Sequence, residues 1–150
     1  SMSDTTKSTI RTTIDQSPLF KHLSEEWRER IANHSDIRTY AKSDTVIEEG
    51  QEEQHNLFII LGGQARVWTR SPKKEVELKT RKKGAYFGEV SLLSNKVATA
   101  TVEAKSDEMR ALAIERAIIL KLVEDDEKVR QMLEGVTLAR AKDTIGKVME

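Results

Sequence analysis

The chain has 150 residues, 33% of them charged and 37% apolar, which is enough for one domain with a modest core. Twenty-five acidic and twenty-five basic side chains cancel to a net charge of zero, so the electrostatic footprint of a nucleic-acid binder is missing. There is no cysteine, which excludes disulfides, thiolate zinc sites and thiol nucleophiles and suits a cytoplasmic location. No apolar run approaches the ~18 residues of a membrane span, and no signal peptide is visible. Ser1 ahead of Met2 reads as a cloning remnant, so a domain of a longer protein is expected.

Residues 1–16 are rich in Ser, Thr and charge without an apolar period, and are expected to form a mobile lead-in. The domain proper is expected over 17–150. Its first element is a helix over about 18–34, with Ser24 as a cap before Glu25 and Glu26, and Leu23, Trp27 and Ile31 on one stripe. From Ile37 to about 115 the period changes to short strand-like runs: Val46-Ile47, Leu57 to Ile60, Ala65 to Trp68, Val76 to Thr80, Ala85 to Phe87, Thr99 to Val102 and Met109 to Ile114. Gly50, Gly62-Gly63, Ser71-Pro72 and Gly84 punctuate them. Such spacing predicts an α+β, mainly β fold: an eight-stranded antiparallel barrel or jelly roll with an N-terminal helix and two C-terminal helices. The last two occupy about 116–149. Ile118, Leu122 and Val123 form the face of the first. The second carries Val129, Met132, Leu133 and Val136 on one stripe and Leu138, Ala141, Ile145 and Val148 on another, the shift falling near Gly135. That glycine reads either as the start of a frayed end or as a hinge.

Phe87-Gly88-Glu89-Val90-Ser91-Leu92-Leu93 carries the most chemistry. A glycine lets backbone approach a ligand closely, and the first amides of a helical turn form an anion site. A carboxylate beside such amides would repel an anion, so Glu89 is expected to accept hydrogen bonds from hydroxyls. Amides for phosphate plus a carboxylate for sugar hydroxyls describe a nucleotide pocket.

The order of these segments resembles the cyclic nucleotide-binding domain family. Val46 to Gly50, the hairpin from Asn56 to Trp68, and Ile114-Glu115-Arg116 leading into an apolar helix are similar to that family's segments. The family includes kinase regulatory subunits, cyclic-nucleotide-gated channels and bacterial transcription activators. By this resemblance Phe87 to Val102 is the phosphate-binding cassette. Gly88 falls on its close-approach glycine, Glu89 on the ribose-hydroxyl acceptor, and Ser91 on the short helix whose amides face the phosphate. Val97 stands at the family's proline and Ala98 at its arginine. Thr99 stands where cGMP-preferring members often have Thr and cAMP-preferring ones Ala, followed by Ala100. The implied ligand-binding set is therefore Phe87, Gly88, Glu89, Val90, Ser91, Ala98, Thr99 and Ala100. The implied ligands are cAMP, cGMP or a related nucleoside; the implied partner is an output domain or a kinase catalytic chain.

The cassette arginine would pair with the phosphate in an enclosed pocket, and removing one partner of such a pair typically costs about 3–5 kcal/mol. A helix N-terminus supplies only ~0.3–1 kcal/mol, and the Thr99 hydroxyl roughly 0.5–1.5 kcal/mol. Neither restores the usual affinity. Lys96, Arg66 and Arg70 are the candidate replacement cations, each also readable as a solvated surface charge. Weak cyclic-nucleotide binding, an uncharged nucleoside ligand, and an empty pocket serving as an interaction module all remain open.

No catalytic constellation accompanies the cassette. His22, His34 and His55 lack partners at ligand spacing, Ser91 lacks the glycines of a nucleophile elbow, and no phosphate-binding loop ends in Gly-Lys-Ser or Gly-Lys-Thr. The domain is expected to be non-enzymatic and metal-free. The basic group Lys79, Arg81, Lys82 and Lys83 reads as a solvated edge strand or as a patch for acidic lipid or RNA. No helix-turn-helix is read within these residues, so DNA binding is not expected of them, and Lys7 to Ile14 lacks the paired arginines of a kinase-inhibitory segment.

Overall fold

The computed structural model describes residues 2–52, 56–70, 74–89, 93 and 97–150. Two helices lead, α1 (Asp4–Gln16) and α2 (Glu25–Asn33). Eight strands follow: β1 (Ser35–Ala41), β2 (Thr45–Ile47), β3 (Asn56–Gly62), β4 (Ala65–Arg70), β5 (Glu75–Arg81), β6 (Tyr86–Phe87), β7 (Thr101–Ala104) and β8 (Glu108–Glu115). Two helices close the fold, α3 (Arg116–Asp125) and α4 (Glu127–Val148).

The strands form two antiparallel four-stranded sheets, ordered β1-β8-β3-β6 and β2-β7-β4-β5. The mainly-β, helix-flanked jelly roll expected from strand spacing is present. The described pairings do not close it into a barrel; β5 and β6 remain edges of separate sheets. The sheets bury one core between them, around Phe58, Ile60, Val67, Phe87, Met109 and Ala111. The outer face of the first sheet buries a second core against the helices, through Leu57, Ile59, Leu112 and Ile114. Strand β3 is thus covered on both faces, which is why Leu57 to Ile60 is an unbroken apolar run and all four residues are buried.

The segment expected to be mobile differs. Residues 4–16 form α1, capped by Ser3, whose hydroxyl accepts from the Thr6 amide. Only Ile10 and Ile14 are strongly apolar here, and both are fully buried at i,i+4 spacing in the helical core. Arg11 pairs with Asp15 at 2.9 Å and with Glu25 and Glu29 of α2 at 2.5 and 2.6 Å, tying the two helices together. Two isoleucines are too few to give a periodic signal, but they suffice once a receiving surface exists. The next helix is also shorter than expected: residues 18–23 are turns, and α2 starts after Ser24, whose hydroxyl accepts from the Trp27 amide as the cap motif predicts.

At the other end, α4 runs unbroken through Gly135 to Val148. The helix therefore continues past Gly135, and the two apolar stripes belong to one element with two contacts. Val129 and Leu133 enter the helical core, while the distal half reaches the pocket described next. Asp126 caps the rod, accepting from the Val129 amide at 2.9 Å.

Candidate functional site

A cavity of about 310 Å³ opens between the inner face of the second sheet, the turn after β6 and the distal half of α4. Its size is at the lower end of small-molecule pockets. Phe87, Gly88, Glu89, Ala98, Thr99 and Ala100 all line it, so the geometry gathers six of the eight residues named from sequence. Val90 and Ser91 lie outside the described residues, as do Lys96 and His55.

Local chemistry explains the placement. The Phe87 ring stacks on Phe58 with centroids 5.1 Å apart, which anchors the strand end in the inter-sheet core. Gly88 then adopts φ +97°, a region that side-chain-bearing residues rarely enter, and the chain turns sharply into the site. Glu89 follows at 1% exposure. Across the cavity, Ala98 is held by a reciprocal backbone pair: its amide donates to Gln51 O at 3.0 Å and its carbonyl accepts from the Gly50 amide at 2.8 Å. Its methyl packs in the inter-sheet core and brings no charge to the wall.

A buried carboxylate without a partner is costly, and Glu89 has one. Arg140, from α4, donates through Nη1 to Glu89 Oε1 and through Nη2 to the Tyr86 carbonyl at 2.6 Å. Its guanidinium also lies 5.6 Å from the centre of the Tyr86 ring. Burial pushes the Tyr86 phenol above its ordinary value, against the pull of the Arg140 charge. Farther along the helix, Lys147 donates to Leu78 O on β5. Arg140 is 51 residues from Glu89 and sits in a run of alternating small and charged residues, so nothing in the local pattern marks it.

Arg81 was also hidden. Strict alternation from Val76 and Leu78 would turn Thr80 inward and Arg81 to solvent. The register between β4 and β5 slips between Val67 and Trp68, where Val67 faces Lys79 and Trp68 faces Glu77. One extra residue on β5 resets the alternation. Thr80 then shares the outer face with Arg66 and accepts from Lys105 at 3.0 Å, while Arg81 pairs with the fully buried Ala65 and lines the cavity. Burial pulls the Arg81 guanidinium below its ordinary value; Arg140 adds to this, and Glu89 and Asp143 oppose it. The solvated-edge reading therefore fails for Arg81, the one member of its basic group in the cavity wall.

Two of the three candidate replacement cations, Arg66 and Arg70, lie elsewhere. Arg66 pairs with Glu103 and Glu77 at 3.0 Å on the outer face, and Arg70 lies over the Trp68 ring at 5.4 Å. Neither lines the cavity. Among the described residues no group of three or more acidic, histidine or cysteine side chains could hold a metal ion, and no helix is long and apolar enough to cross a membrane.

Two packed antiparallel sheets with a ligand-sized cavity under a C-terminal helix define a jelly-roll binding domain. Residues 37–126, more than half of the chain, match the model of the cyclic nucleotide-binding domain, and the chain belongs to that family. It is 33% identical over 119 residues to cGMP-dependent protein kinase 2 of Homo sapiens, covering 78% of this chain and 16% of that one. It is 32% identical over 134 residues to the cAMP-dependent protein kinase regulatory subunit of Mycosarcoma maydis, covering 86% and 24%. The fold is shared with the regulatory domain of Toxoplasma gondii PKA with cAMP, at a TM-score of 0.74 and 24% identity over 83% of this chain and 47% of that one. The chain thus spans a quarter or less of the length of these two curated relatives. It is a regulatory, non-catalytic cyclic nucleotide-binding domain of the kinase-regulatory type.

Proposed function

We propose that this domain senses a nucleoside-containing ligand and passes its presence to an output domain or kinase catalytic chain through α4, with cAMP and cGMP bound weakly. The observation that carries this reading is the Glu89–Arg140 pair. Glu89 stands where the family accepts the sugar hydroxyls, and in this chain the same carboxylate also holds the helix that lids the cavity. A ligand hydroxyl donating to Glu89 competes with Arg140, and the loss of that contact favours another position of α4. Differential contact of this kind is what a population shift requires. Weak affinity follows from Ala98. The cassette amides and Thr99 contribute less than the about 3–5 kcal/mol attached to a buried charge pair.

Titration calorimetry with cAMP, cGMP, adenosine, guanosine and inosine tests the reading on the unaltered chain and on Ala98→Arg. The variant is expected to bind the cyclic nucleotides two to three decades more tightly, the nucleosides no more tightly. Tight cAMP binding by the unaltered chain overturns the reasoning about position 98. The same pair favours a second reading: Arg140 satisfies Glu89 within the chain, as a ligand-free interaction module requires. Absence of binding by both proteins selects that one.

A further inference from the structure

The cavity wall holds a positive charge that the cassette does not account for. Of the two arginines lining it, Arg140 is committed to Glu89 and the Tyr86 carbonyl. Of the two carboxylates, Glu89 belongs to Arg140, and Asp143 pairs with Lys147 at 3.5 Å. Arg81 is left over. Its Nε is fully buried and bonds to no described residue, and no ion pair of its guanidinium falls among the described residues. The β4–β5 register slip that turns it inward places it there at the expense of a solvated position. A buried guanidinium nitrogen without a hydrogen bond costs stability, and the half-buried group's planar fork of donors is shaped for two acceptor oxygens.

Given the reading of the cavity as a nucleoside site, we infer that Arg81 is the anion-binding residue of this domain: it takes a phosphate oxygen of a nucleotide ligand from β5 rather than from the cassette position held by Ala98. Arg81 accordingly gives the site whatever preference it has for a nucleotide over the matching nucleoside. Affinity for the nucleoside alone rests on Glu89 and the apolar wall. The missing cassette charge is thus relocated within the pocket and set in a different geometry.

Three proteins decide this: the unaltered chain, Arg81→Gln and Arg81→Lys. Each is titrated with cAMP and adenosine, and with cGMP and guanosine. The unaltered chain is expected to prefer the nucleotide of each pair by about tenfold or more, the scale of one charge-assisted hydrogen bond. In Arg81→Gln the preference falls to within about twofold while the nucleoside affinity holds; Arg81→Lys keeps part of it. Without ligand, Arg81→Gln is expected to melt no lower than the unaltered chain, because it removes a buried Nε that has no hydrogen bond. A preference that survives in Arg81→Gln, or an equal loss of nucleotide and nucleoside, overturns the assignment and leaves the nucleoside site standing. If neither nucleosides nor nucleotides bind, the nucleoside reading fails by itself, and thermal shift with inorganic phosphate then decides Arg81. Stabilisation of the unaltered chain and not of Arg81→Gln upholds it; identical responses overturn it.

Discussion

Replacing Arg140 with methionine tests whether the helix lid is fastened by one buried charge pair. Glu89 is 1% exposed and the Arg140 side chain 22% exposed, so the two partners differ in how they tolerate separation. Without Arg140 the carboxylate stays enclosed and unpaired, a change that costs about 3–5 kcal/mol in a rigid site. The distal half of α4 limits that cost. Leu138 is 59% and Ile145 64% exposed, so the segment beyond Gly135 buries little and can lift to let water reach Glu89. A loss of about 2–3 kcal/mol is therefore expected. Glu89→Gln leaves Arg140 partly hydrated and still donating to the Tyr86 carbonyl, and is expected to cost about 1 kcal/mol. Urea unfolding of the unaltered chain, both single variants and the double variant gives the coupling energy, expected near 2 kcal/mol against roughly 0–1 for a surface pair. Amide exchange along α4 reports where the loss is felt: acceleration confined to the turns after Gly135 is expected. A coupling below about 0.5 kcal/mol, or Arg140→Met no worse than Glu89→Gln, refutes the reasoning and with it the fastening of α4 through Glu89.

Ile14→Ala in α1 removes a fully buried side chain and is expected to cost about 2–5 kcal/mol in urea unfolding; a change under about 0.5 kcal/mol would restore the mobile lead-in. At the Asp126 cap, partial burial works to raise the carboxyl, but the Val129 amide and His22 outweigh it and hold it below its ordinary value. A carboxyl depressed on folding stabilises above its unfolded value and loses that contribution as pH falls through the folded one. Asp126→Ala is therefore expected to cost about 1 kcal/mol at pH 7, with the gap closing as pH falls below about 4. Urea midpoints at pH 7 and pH 3 measure it, and an equal gap at both would exclude a charged cap.

Much of the fold was legible because its signals are local. Short apolar runs separated by glycine turns give strands, Ser24 ahead of two glutamates gives a cap, and Phe87-Gly88-Glu89 gives a turn with one carboxylate. Each depends on neighbours within a few positions. The sheet order was not local: β3 is flanked by β8 and β6, and the expected barrel resolves into two sheets because pairing is chosen across the core. For α1, a threonine-rich helix became part of the fold because Ile10 and Ile14 joined the helical core where α1 packs on α2 and β1.

The sequence by itself determined the class of protein and pointed to Phe87-Gly88-Glu89 as the turn that carries a carboxylate, since these follow from residue order alone. Only the tertiary structure decided which charges face the cavity. A single extra residue in β5 turns Arg81 inward, and an unbroken α4 carries Arg140 back to a carboxylate 51 residues away. Which face a strand residue presents depends on its pairing register, and which charge a buried carboxylate meets depends on what packs over it. Neither is a property of nearest neighbours in the chain.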